Sequence, residues 1–471
     1  MNRQGAWLAV AVLALLALRW VSAPPWPDDW DGIGFVESIA HFDLAHFTPH
    51  PPGYPVYVAM LKLVGALVRD PIQAANVVAV ACGVAASALV AVAASKALGS
   101  TARGAWVGAF VAFAPLAWRV GAAIGSEAPA FLFLAGALAA AAVGGRRAAW
   151  ALGACVGLGL GVRLSWAPLF LALPLLLRGG RARLASVAVA AAFTAAWAVP
   201  LLAVVGPEDF VRLTLVHARG HFHVWGGTVL RDPGAARAAY LARDVFVDGL
   251  GVDADVLGVA LGAVAVVVAL LGLRAWRAHG WPYAKRGLVL LPYAVWIAFG
   301  QNLREQPRHA LPLVVALAGA LALGAMTSRP ARIAGVLLLA LVAARTVLDA
   351  RARRATPPPG AQLVALAGTL LPDPSQVAVF GGPSARFFEI LAPDLHAVTV
   401  GSLADARLAL GRMRALPARV ILTSELEGLE RAGPALVPIA SLCRPPRLER
   451  RAPCLTAYDW RLPFLSGPNS R

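Results

Sequence analysis

Charge is scarce in this chain. Of its 471 residues only 14% are Asp, Glu, Lys or Arg, while 59% are hydrophobic and the mean hydropathy is +0.68. A soluble protein of this length has too small an interior for so much apolar surface, so the excess has to face lipid. The polar–apolar alternation of barrel strands is missing too, because runs such as GVLLLALVAARTVL are continuous. Helices are then the way to cross a bilayer with every backbone group satisfied. Familiar soluble chemistry is equally absent: there is no P-loop, G-x-S-x-G or H-E-x-x-H, and FGGPSA (Phe380–Ala385) falls short of a dinucleotide fingerprint. No internal repeat is visible. Cysteine is limited to four residues. Cys82 and Cys155 fall in apolar runs and read as packed thiols. Cys443 and Cys454 lie close together in a polar tail, where an extracytoplasmic location predicts a disulfide.

What charge there is leans basic, with a net +17 and a pI near 11. The arginines fall in short breaks between apolar runs (GGRR, RGGRAR, RAWRAHGWPYAKR, SRPAR) rather than along one face. That pattern argues against nucleic acid and for cytoplasmic loops under the positive-inside rule. With about 20 apolar residues needed per span, the sequence predicts a polytopic α-helical membrane protein of about eleven transmembrane helices. They fall near 6–23, 73–98, 103–121, 127–144, 147–163, 165–178, 183–205, 254–274, 286–302, 310–327 and 331–349. The first run ends in VSAPP and has features of a signal peptide, but is read as the first span. The basic loops put the amino terminus in the cytoplasm. Loops 24–71 and 206–255, and QNLREQPRHALP, then lie outside. An odd span count puts the tail outside as well, although Arg345, Arg351, Arg353 and Arg354 cluster where that rule expects few positive residues.

The membrane domain is expected over 1–350 and a linker, containing TPPPG, over 351–360. A small α/β domain follows over 361–471. Its strands are QVAVFGG and ARVILTSEL, and its helix is SLADARLALGRMRAL.

The first external loop carries the chemistry. Asp29 and Asp31, in DDWDG, form a D-x-D pair. Such a pair either holds a divalent cation, or one carboxylate acts as base while the other orients it; any hydrophilic loop also contains such pairs by chance. Downstream, PHPPGYPVY combines the turn-fixing Pro51, Pro52 and Pro55 and Gly53 with a re-entry into helix, a stiff support for a catalytic loop that contains His50.

The stretch DGIGFVESIAHFDLAHFTPHPPGYPVYVAMLKL, Asp31 to Leu63, resembles the GT-C superfamily of integral-membrane glycosyltransferases. It is most similar to the protein O-mannosyltransferase-like branch, glycosyltransferase family 39 and its bacterial relatives. The resemblance implies a polyprenyl-phosphate sugar donor and a catalytic aspartate in the first external loop. By motif position that aspartate is Asp31, with Asp29 beside it; the adjacent Asp-Glu pair of the eukaryotic mannosyltransferases is lacking. It further implies transfer of a hexose, mannose in that branch, to an acceptor the sequence does not name. The setting would be the outer face of a bacterial inner membrane.

Other external ionisable groups suit such a site. Glu127, in IGSEAPAF, is either a functional carboxylate or an acidic residue favoured by a helix N-terminus. Arg163 in GVRLSW and Arg308 with His309 in QPRHALP either hold the donor phosphate or snorkel to the interface. The loop HARGHFHVWGG offers His221, His223 and Trp225 as substrate contacts. His217 and His221 stand one helical turn apart, but no cysteine or carboxylate completes a zinc set nearby. The rival reading is a polyprenyl-lipid flippase or transporter. It requires ionisable groups near the midplane and broken helices in corresponding halves, whereas here the charges gather at one face.

Overall fold

The structure, a computed structural model, describes residues 3–461 except 233, 280–286, 371–372, 374–375 and 451–452. Its helices are α1 Arg3–Ser22, α2 Trp30–Glu37, α3 Pro55–Gly65, α4 Pro71–Leu98, α5 Thr101–Phe113, α6 Pro115–Val120, α7 Glu127–Val143 and α8 Arg146–Val162. There follow α9 Ala167–Phe170, α10 Gly180–Val205, α11 Pro207–Gly220, α12 Ala235–Arg243, α13 Val256–His279, α14 Leu291–Gly300, α15 Leu311–Ala325 and α16 Arg329–Ala355. The tail adds α17 Pro359–Ala367, α18 Phe387–Leu391 and α19 Leu403–Gly411, and strands β1 Val377–Gly381, β2 His396–Thr399, β3 Arg419–Thr423, β4 Leu436–Cys443 and β5 Cys454–Trp460.

The chain divides into two compact units. Met1–Ala23 and Ser38–Arg351 form the membrane unit; Pro24–Glu37 and Ala352–Arg471 form the other. The start of the first external loop thus groups with the tail.

Helical segments stand at all eleven expected positions, and among the described residues five are long and apolar enough to cross a membrane. The protein is therefore an integral membrane protein. α4 packs against α1, α3, α5 and α7. Asp70 starts it by accepting the Ile72 and Gln73 N–H groups ahead of Pro71, and Gly99, at φ 63°, ends it.

The expected span 103–121 is broken by Pro115 into α5 and α6. Proline has no N–H to donate, so carbonyls in the turn before it need other partners. Arg19 donates to the Ala112 carbonyl at 3.0 Å, and the Thr346 hydroxyl donates to that of Phe113 at 2.6 Å. The Arg19 side chain is fully buried, and a Cβ at Gly83 or Gly121 would lie within 2.2 Å of its guanidinium. The two glycines make room for the group that repairs the break.

In the second unit the sheet order is β2-β1-β3-β5-β4, parallel through β2-β1-β3 and antiparallel through β3-β5-β4. Alternation along the strands builds two apolar faces. Val377, Val379 and Ile421 pack with Leu363 and Ala367 of α17, while Ala378, Phe380, Val420 and Leu422 pack with Leu403, Ala406 and Leu410 of α19. The result is a three-layer α/β/α domain. Cys443 and Cys454 are register partners on β4 and β5 and form a disulfide.

Candidate active site

Within the membrane unit, the ends of three helices bring polar side chains together. Glu127 opens α7, Arg163 is the extended residue that ends α8, and Arg308 and His309 lie in the turn leading into α15. Glu127 Oε1 is ion-paired with Arg163 Nη1 at 2.8 Å and with Arg308 Nε at 2.9 Å. Arg163 also donates to Ser126 Oγ at 2.7 Å and lies 3.4 Å from His309 Nδ1. The Tyr293 hydroxyl donates to the His309 carbonyl at 2.8 Å, which fixes the turn. The Glu127 and Arg163 side chains are only 4% and 6% exposed, so their ion pair lies inside the unit. Two guanidiniums on one carboxylate make a cation-rich node, suited to a second anion with the oxygen geometry of phosphate.

Aromatic and histidine side chains form a second cluster in the same unit. The His50 ring lies 4.9 Å from Tyr54, whose hydroxyl is 2.6 Å from His50 Nε2, and stacks on His217 at 5.2 Å. Trp225 stands edge-on to His217 at 5.0 Å and to His221 at 5.5 Å. His221 Nε2 donates to the Gly300 carbonyl at 2.8 Å, and burial lowers the basicity of this imidazole, which favours its neutral form. The expected loop residues His50, His221 and Trp225 therefore meet, joined by His217, while His223 is exposed and is not among these ring contacts. Arg237, unnoticed in the sequence, holds the loop by donating to the carbonyls of Gly227, Ile297, Ala298 and Gln301, a cap on the end of α14.

The aspartates belong to the second unit. Asp29 Oδ1 accepts the Gly32 N–H at 3.0 Å, and Asp31 lies in the first turn of α2, where the helix dipole favours an anion. Asp28 stands just ahead of the D-x-D pair. Its carboxylate pairs with Arg353 and accepts both Nη atoms of Arg444 at 3.1 Å. Among the described residues no group of three or more His, Cys, Asp or Glu side chains is arranged to hold a metal ion.

No family model and no curated protein sequence matches the chain. Solved structures do. That of ArnT from Cupriavidus metallidurans bound to undecaprenyl phosphate is 14% identical, with a TM-score of 0.50 over 99% of this chain and 100% of that one. The same protein in the apo state is 15% identical with a TM-score of 0.46, covering 99% of this chain and 100% of that one. The fold is ArnT-like. A helical membrane unit with a small sheet domain is the architecture expected from the sequence.

Proposed function

We propose that the chain is a membrane glycosyltransferase that moves a hexose from a polyprenyl-phosphate carrier to an acceptor hydroxyl at the extracytoplasmic face of a bacterial inner membrane. The observation that carries the reading is the buried node in which Arg163 and Arg308 share Glu127, within an ArnT-like fold. The ArnT neighbour was solved with undecaprenyl phosphate, which supports a ligand of that class here. The Cys443–Cys454 disulfide supports an oxidising compartment for the tail.

In the reaction the acceptor oxygen attacks the anomeric carbon, the bond from that carbon to the phosphate oxygen breaks, and the acceptor proton passes to Asp31 as general base. Asp29 fixes the loop that carries Asp31. Arg163 and Arg308 stabilise the charge gathering on the departing polyprenyl phosphate, and His309 borders them. Glu127 holds the two guanidiniums instead of acting on the sugar itself. His50, His221 and Trp225 offer a stacking surface for substrate, and His223 lies on the same loop. Mannose is the sugar of the branch the motif resembles. A divalent cation at Asp29 and Asp31 would assist the acceptor; titrating EDTA against transfer tests for it.

The deciding experiment measures undecaprenyl phosphate binding and sugar release from a panel of undecaprenyl-phosphate hexoses and pentoses on the same purified variants. Asp31→Asn should lower turnover by about a hundredfold or more while binding persists. Arg308→Ala should weaken binding by an amount corresponding to about 1.5–3 kcal/mol. Unchanged turnover in Asp31→Asn removes the catalytic assignment. Wild-type lipid translocation without sugar release would favour a flippase.

A further inference from the structure

Helix α2 is eight residues long, too short to hold its own shape in water, so its position is decided by what it touches. Those contacts come from the tail. Two residues before α2 begins, Asp28 is held by Arg353, at the end of α16, and by Arg444, which directly follows the disulfide residue Cys443. Arg444 is completely buried, its N–H donates to the Pro453 carbonyl at 2.7 Å, and its Nη2 also reaches the Arg353 carbonyl at 3.3 Å. In the middle of α2, Ile33 is fully buried against Ala361 of α17 and Phe387 of α18. At its last residue, Glu37 Oε2 receives Arg386 Nη2 at 2.6 Å. Four elements far apart in the sequence thus hold both ends and the centre of one short helix.

Buried ion pairs of this kind are poor stabilisers, since apolar side chains of the same size do as well without the cost of desolvation. What such pairing adds is a fixed register, and Arg386 donates to Glu37 whether or not that carboxyl holds its proton. Asp31 lies between the Asp28 clamp and Ile33, so whatever fixes those residues fixes it.

We infer that the C-terminal domain is a positioning element for the reaction, with Asp28, Arg353, Arg444 and the Glu37–Arg386 pair as positioning residues that set where α2 presents Asp31. This rests on the reading of Asp31 as the group that takes the acceptor proton. Arg163 and Arg308 belong to the other unit, so loosening α2 acts on turnover and leaves donor affinity alone. A displacement of about 1 Å at a reacting group costs on the order of a hundredfold in rate, and a partly loosened helix loses a fraction of that.

The test uses the full chain in nanodiscs and the panel of undecaprenyl-phosphate sugars. Asp28→Asn keeps the shape of the side chain but loses its charge, and Arg386→Met releases the other end of α2. Each should lower kcat tenfold or more, leave the donor KM within about twofold of wild type, and speed amide exchange across residues 29–37. Asp28→Glu should recover part of the loss. A third variant guards against misfolding: Asp459→Asn breaks the 3.2 Å Arg419–Asp459 pair between β3 and β5, away from α2, and should keep kcat. Wild-type kcat in Asp28→Asn and Arg386→Met, with Asp31→Asn inactive, overturns the inference and leaves the functional reading standing. An equal loss of kcat in Asp459→Asn also overturns it, since tail stability alone would then explain the effect. Full activity in Asp31→Asn marks instead a failure of the functional reading.

Discussion

Replacing Glu127 by glutamine tests the cation node most directly, because the side chain keeps its size and loses its charge. Its two partners lie at 2.8 and 2.9 Å, and the carboxylate side chain is 4% exposed, so water screens neither pair. At an effective dielectric constant of about 20, a unit pair near 3 Å is attracted by about 5–6 kcal/mol before desolvation is counted. Breaking a buried pair by removing one partner has a net cost of about 3–5 kcal/mol, because the remaining charge stays buried. Here two guanidiniums lose the same carboxylate, so Glu127→Gln should fall at the upper end of that range. An anion that binds the node should restore much of the loss. Bound ligand stabilises by RT ln(1 + [L]/Kd), about 2.7 kcal/mol at a hundredfold excess over Kd. The assay is thermal unfolding of purified protein with and without undecaprenyl phosphate. Glu127→Gln should unfold at a lower temperature than wild type and gain more from the lipid. Equal stability of variant and wild type would refute the node as a buried ion pair. A destabilised variant that gains nothing from the lipid would refute its phosphate role.

Two further predictions concern the tail. The Cys443–Cys454 bond closes a short loop, for which the chain-entropy relation gives about 3 kcal/mol. Cys454→Ala should lower tail stability by about that amount in urea unfolding, and mass analysis of wild type without reductant should find no free thiol at either position. The second concerns pH. Burial and the neighbouring Glu389 carboxyl push Glu37 up to about 8, against the pull of Arg386. The folded state then keeps a proton that the unfolded chain releases near pH 4.5, so stability is greatest below that value, falls as pH rises towards 8, and is flat beyond. The change should be on the order of 1 kcal/mol, well below what the bare shift implies, because the pair is partly solvated. Urea unfolding of wild type and Glu37→Gln from pH 4 to 9 should show the slope only in wild type; the same slope in both assigns it elsewhere.

The spans were legible because hydropathy is a sum over a window and depends little on backbone detail. The breaks within them were not, since the window at 103–121 passes over Pro115, and the one at 165–178 passes over Pro168 and Pro174. In the tail, β1, β3 and α19 were expected from their apolar runs and the Ser402 start. β4, with partial burial and an irregular register between Pro438 and Ala440, carries no such pattern, and neither it nor β5 was expected. Glu127, Arg163, Arg308 and His309 stood out as polar groups at the ends of apolar runs, and the fold brings them together. Asp28 did not stand out. Its partners lie 325 and 416 residues away, and D-x-D spacing draws the eye to Asp29 and Asp31. A local reading of three closely spaced acidic residues does not say which one a distant arginine has taken.

The same long-range pairing explains the basic cluster that sat badly with the positive-inside rule. Arg345 is buried against Asp253, Asp255 and Asp349, and Arg353 against Asp28. The rule weighs cations that stay in solvent and meet the charged membrane surface while the chain inserts. In the folded protein these two are neutralised inside their own units, so packing gives them a role on either side of the membrane. An external tail remains the expectation to test, and the disulfide is compatible with it. Labelling single cysteines near His221 and near Arg181 with an impermeant reagent separates the two faces. Labelling of both from one side would overturn the topology, and with it the extracytoplasmic reaction.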